Sequence, residues 1–169
     1  MSADSLLQRL IAVLDADLAL HRRLLENAER KCSALMTHDL EALQQCVAIE
    51  EELTTVAGRH RSLREQLLSA CARQVPGNAA TIRIGALLEH VDGPQHDRIA
   101  ALRDETRRVL GDLQRCNDRN QQLLRVHLGV VNDLLALIVG GETPGSAYDQ
   151  RGTAPRDQVR QGGLLNCTC

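Results

Sequence analysis

The sequence predicts an all-α fold, an elongated antiparallel helical hairpin or bundle of three long helices and one short one, followed by a flexible tail. Three observations carry that prediction. The 169-residue chain is 43% hydrophobic yet has no Trp, no Phe and one Tyr, its apolar content lying in 28 Leu and 19 Ala, residues that favour helix. Its four prolines, at 76, 94, 144 and 155, leave long proline-free runs, and an interior proline would break a helix. Apolar residues recur in alternating steps of three and four, as a heptad seam requires.

The first helix is expected over about 3–35. Its seam is Leu7, Ile11, Leu14, Leu18, His21, Leu25, Ala28, Cys32 and Leu35, widened on one side by Leu6, Leu10, Val13, Leu20 and Leu24. A stripe this broad can touch more than one neighbour. Met36-Thr37-His38-Asp39 is then a turn, with Thr37 or Asp39 able to cap the next helix and Glu41 in its first turn. So short a connection forces an antiparallel hairpin.

The second helix, about 39–75, has the seam Ala42, Cys46, Ile49, Leu53, Val56, His60, Leu63, Leu67 and Ala70, and stops before Pro76-Gly77-Asn78. A short helix over about 81–90 starts at Thr81. Asp92-Gly93-Pro94-Gln95 opens the last helix, about 95–139, with proline in its first turn. Its seam is Ile99, Leu102, Thr106, Val109, Leu113, Cys116, Asn120, Leu123, His127, Val130, Leu134 and Leu137. Half of the 12 glycines and two of the prolines fall in 140–169. The helical bundle is therefore expected over 1–139 and a flexible tail over 140–169.

Composition also bounds function. Strands want β-branched and aromatic residues in alternation, and none appear. Single-stranded nucleic acid is bound largely by aromatic stacking, and a formal charge of −2 with a pI near 6.3 supplies no basic field for phosphate backbones, so nucleic acid is not an expected partner. The N-terminal MSADSLLQRLIAV lacks the basic start of a secretory signal. The most apolar window, Leu134 to Val139, is far short of the roughly 20 residues of a membrane span. Four of the six cysteines stand singly in helical patterns, the usual setting of a buried thiol. A soluble, reduced, cytoplasmic protein without a membrane span is expected.

Chemistry-bearing patterns are weak. Thr37-His38-Asp39-Leu40 resembles the phosphate-accepting box of sensor kinases, but Glu41-Ala42 follow where a basic residue and proline belong, and His38 falls in a turn. Glu89, His90, Asp92, His96 and Asp97 crowd one loop without ligand spacing such as Glu-x-x-His. Cys167-Thr-Cys169 has no nucleotide-binding loop before it. The expectation is a protein that is no enzyme, with no catalytic residues, no metal and no cofactor. Within the seams, His21, His60, Asn120 and His127 are polar intrusions. They belong where helices splay or meet solvent, and Asn120 is also suited to fixing register.

From Leu113 the chain reads LQRCNDRNQQLLRVHLGVVNDLLALIVGG, with Asn117, Asn120 and Leu123-Leu124 on the last helix and Tyr148-Asp149-Gln150-Arg151-Gly152 in the tail. With the junction His38-Asp39-Leu40-Glu41-Ala42-Leu43, this resembles the FlgN family of flagellar export chaperones over about 1–152. Two departures are His38, where family members commonly carry a small residue, and the absence of a Lys-rich face on the second helix, Lys31 being the sole lysine. The resemblance implies a cytoplasmic chaperone that binds hook-associated (hook–filament junction) proteins. It would mask their C-terminal helices against premature polymerisation and deliver them to the export gate or its ATPase.

On that basis the client-binding residues are Asn117, Asn120, Leu123, Leu124, Val130, Val131, Leu134, Leu135, Leu137, Ile138 and Tyr148. The aliphatic ones exceed what packing in a three-helix bundle needs and can offer a stripe to an amphipathic helix. Bundle core plus a homodimer seam is the competing reading of the same stripe. At the level of function the alternatives are a structural or scaffolding coiled coil and, more remotely, a histidine phosphotransfer bundle.

Overall fold

The computed structural model describes residues 3–74 and 82–139. Four helices occur in these segments: α1 (Ala3–Thr37), α2 (Leu40–Ala72), α3 (Ile84–Leu88) and α4 (Gly93–Val139). There is no strand among the described residues. The chain divides into two compact units, Met1–His127 and Leu128–Cys169.

In the first unit the α1–α2 junction uses almost no chain. His38 sits at φ 57°, and the Asp39 and His38 amides donate to the Ala34 and Leu35 carbonyls at 2.9 and 3.3 Å. This is a Schellman closure of α1 with histidine in the left-handed position that glycine normally fills, at roughly 1 kcal/mol of backbone strain. The next residue starts α2: Asp39 Oδ1 accepts from the Ala42 amide at 2.9 Å, satisfying one of the orphan donors of a helix start. Of the two expected caps, Asp39 serves, while the Thr37 hydroxyl turns back to donate to the Ser33 carbonyl.

Cross-helix bonds fix the directions. Asp17 pairs with His60 and Arg64, Asn27 with the Cys46 carbonyl, and Lys31 with Glu50, so α1 and α2 run antiparallel. Asp15 pairs with Arg98, Arg22 with Glu105, and the Ala28 carbonyl with Asn120, so within this unit α4 runs along α1 in the same direction. Ala72 closes α2 before Val75, with the Gln74 amide donating to the Cys71 carbonyl at 2.9 Å. The short helix is five residues, half the expected length, but Leu87, Leu88 and Val91 of this connection are buried. Gly93, at φ 71°, then turns the chain into α4 through a conformation that suits glycine.

The core is graded. Leu6, Leu10, Leu14 and Leu18 of α1 pack with Leu67 and Cys71 of α2, with Leu87, Leu88 and Val91, and with Ile99, Leu102 and Val109 of α4. Towards the hairpin turn most buried residues are small, Ala28, Cys32, Ala34, Cys46 and Cys116, with Leu35 the large exception. Two readings of the seams change. Leu6 and Leu10 lie deeper than the seam residues Leu7 and Ile11, and the α2 seam residue Leu63 is exposed.

Candidate partner-binding site

The α4 seam is buried at Ile99, Leu102, Val109, Cys116 and Asn120 and half-buried at Leu123 and His127. From Leu128 to Ile138 the helix continues with every side chain exposed. Between Val126 and Ile138 the only carboxylate is Asp133, and the segment has no Lys or Arg. Val126, Leu128, Val130, Val131, Leu134, Leu135, Leu137 and Ile138 stand open to solvent, Leu137 at 76% and Ile138 at 79% of full exposure. Bare aliphatic side chains in this density on a helix make the segment a candidate interaction surface. The periodicity that buries Ile99 and Leu102 therefore persists in the sequence after burial has ended.

The expected site residues divide accordingly. Val130, Val131, Leu134, Leu135, Leu137 and Ile138 share the exposed segment, and Leu124 is 37% exposed just ahead of it. Asn117 is exposed and lines a shallow cleft with Lys31, Glu50, Asp118, Gln121 and Leu124. Asn120 is 3% exposed, and its Nδ2 donates to the Ala28 carbonyl at 2.8 Å. Its place is inside the bundle, as the register-fixing reading has it, and its Oδ1 faces the bundle without a hydrogen-bond partner. Asn27 does the same across the α1–α2 contact, donating to the Cys46 carbonyl at 2.9 Å. Tyr148 and the tail over 140–169 lie outside the described residues.

One buried polar group was not foreseen. Asp17 is 2% exposed. Its carboxylate accepts from the Arg64 guanidinium and from His60 Nδ1, the latter at 3.1 Å, while its backbone carbonyl accepts from His21 Nδ1 at 2.6 Å. Two of the seam histidines thus find their partner in a single residue of α1. A signal was present: Asp17 and His21 are spaced i, i+4, as are His60 and Arg64, so each helix turns two polar side chains to one side.

Among the described residues, metal ligands are not gathered together. Burial pushes the Cys71 thiol up, and burial followed by the neighbouring Cys32 and Glu29 does the same to Cys116, which keeps both in the unreactive thiol form. Among the described residues no group of three or more His, Cys, Asp or Glu is placed to hold a metal ion. In the loop that crowds ligand-type residues, His96 pairs with the adjacent Asp97 at 3.0 Å. No described helix is long and apolar enough to cross a membrane.

A helical hairpin flanked by a third helix, with an aliphatic helix segment exposed over residues 128–138, defines a helical-bundle module. The family model for FlgN, described as FlgN protein, matches residues 1–156. The chain belongs to the FlgN family, which is a family of flagellar export chaperones. Neither the curated proteins nor the solved structures provide a match.

Proposed function

We propose that the chain works in the cytoplasm as the export chaperone of hook-associated, hook–filament junction proteins. It holds their C-terminal helices so that these do not polymerise early, and it delivers them to the export gate or its ATPase. The observation that carries this reading is the exposed aliphatic segment of α4, from Val126 to Ile138. An amphipathic client helix laid on Val130, Val131, Leu134, Leu135, Leu137 and Ile138 removes both apolar surfaces from water, at about 25 cal/mol for each Å² buried. Leu123, Leu124 and Asn117 are assigned to client binding as well, Asn120 holds α4 in register on α1, and Tyr148 is assigned to a tail that engages partners. The binding itself requires neither a cofactor nor bond chemistry.

The test is capture from the native cell with the full chain as bait. Hook-associated proteins are expected to co-purify with the wild type and with the exposed bundle variant Leu63→Ser, and to be lost with Leu134→Ser/Leu137→Ser/Ile138→Ser. Removing residues 140–169 is expected to weaken capture without unfolding the bundle. A soluble, folded bait that brings down no hook-associated protein overturns the reading.

A further inference from the structure

The ring contact at the hairpin turn lies outside the bundle core. His38 holds a left-handed backbone conformation that a glycine would adopt without strain, and its imidazole lies against that of His127 in α4. The ring centroids are 4.7 Å apart and the planes are tilted by 37°. His38 is exposed and His127 half-buried, so protons from solvent reach both.

The two rings share a shallow cavity of about 270 Å³ whose remaining walls are Ala34, Leu35, Asp39, Leu40 and Leu43. What faces the pair from each element is therefore known. The α1 wall, Ala34 and Leu35, carries no charge, and neither do Leu40 and Leu43 of α2. The turn contributes the Asp39 carboxylate, whose Oδ1 is already occupied by the Ala42 amide. From α4 the only such group is His127 itself. The titratable groups lining this cavity are thus two imidazoles and one carboxylate.

We propose that His38 and His127 form a proton-operated latch between the hairpin turn and α4. Histidine ordinarily titrates near pH 6.5, within reach of physiological change. Uncharged, the two rings pack and hold α4 at His127 against the turn. With both rings protonated in acid, two like charges face each other with the Asp39 carboxylate of the cavity wall to offset them, and the contact opens. Loss of the protons closes it again. His127 directly precedes Leu128, from which every side chain of α4 through Ile138 is exposed, and the latch operates whichever partner that segment binds.

Hydrogen exchange of the full-length protein at pH 5.0 and 7.5, corrected for intrinsic exchange rates, tests this. Amides of 34–39 and 123–128 are expected to lose protection at pH 5.0 by about fivefold relative to those of 6–14, the factor set by two unit charges at this separation in water. His127→Gln is expected to remove that difference, and so is His38→Gly, which relaxes the turn and keeps it foldable. The latch is overturned if the wild type shows no local loss at pH 5.0, if 6–14 loosens equally, or if both variants keep the acid response.

Discussion

At the scale of single residues, the buried polar groups separate by whether they are matched. Asp17 places a carboxylate in the interior, where removing a charge from water costs several kcal/mol, and Arg64 with His60 offsets that by closing on both of its oxygens. Asp17→Ala strands the two donors against an apolar core. It is expected to lower unfolding free energy by about 2–4 kcal/mol in urea titration, nearer the lower figure because both donors are part-exposed and can rehydrate. Asn120 is the opposite case. Its one hydrogen bond is worth about 1 kcal/mol, while its buried Oδ1 goes unpaired at about 1–3 kcal/mol. Asn120→Leu is therefore expected to keep or raise the melting temperature, and to show its cost as mixed oligomeric states on size-exclusion chromatography with light scattering. Asn120 was legible in the sequence because it interrupts an apolar period. Asp17 was signalled only by its i, i+4 spacing to His21, and an acid beside Leu18 reads as a solvated flank until α2 is known to bring Arg64 over it.

At the scale of elements, α4 sets what a periodic pattern can and cannot say. The three-four spacing identifies the face that will be buried wherever a neighbour exists, and it located Ile99, Leu102, Val109 and Cys116 correctly. It is silent on where the neighbour ends, so Val130, Leu134 and Leu137 share the period and stand exposed. Ends of elements were legible where a cap or proline marks them: Asp39 starts α2 and Pro94 follows the first residue of α4. They were not at α3, where Arg83 makes no side-chain cap and five residues suffice to bury Leu87 and Leu88. Gly129 lies in the exposed part of α4, and a Cβ there would meet nothing within 4 Å. No close approach explains the glycine, and in a helix interior it costs about 1 kcal/mol relative to alanine. Gly129→Ala is expected to raise hydrogen-exchange protection of the amides around it by up to about fivefold, with no change in 6–14. An unchanged rate would mean that this part of the helix opens by a route that does not depend on local propensity.

At the scale of the whole molecule, the proposed function gives apolar surface two separate jobs. In the core of the first unit it is enclosed, with Leu10 and Ile99 at 0% exposure. In α4 beyond His127 it is displayed, with Leu137 and Ile138 nearly as open as in an unfolded chain. Folding stability scales with what is enclosed, and association scales with what is displayed, so equal truncations at the two places should have opposite consequences. Leu10→Ala or Ile99→Ala leaves a cavity among helices that cannot fully collapse onto it, and is expected to cost about 2–5 kcal/mol. Client capture by the fraction still folded should be unchanged. Leu137→Ser with Ile138→Ser removes no enclosed contact and is expected to shift unfolding free energy by no more than about 0.5 kcal/mol per site. The same pair should reduce both binding of a hydrophobic dye and capture of client. Thermal unfolding run beside pull-down on all four substitutions separates the two jobs. A Leu137→Ser/Ile138→Ser protein that melts several degrees lower would show that the segment is covered by the chain's own residues, and the displayed surface would then have to be sought elsewhere on the helices.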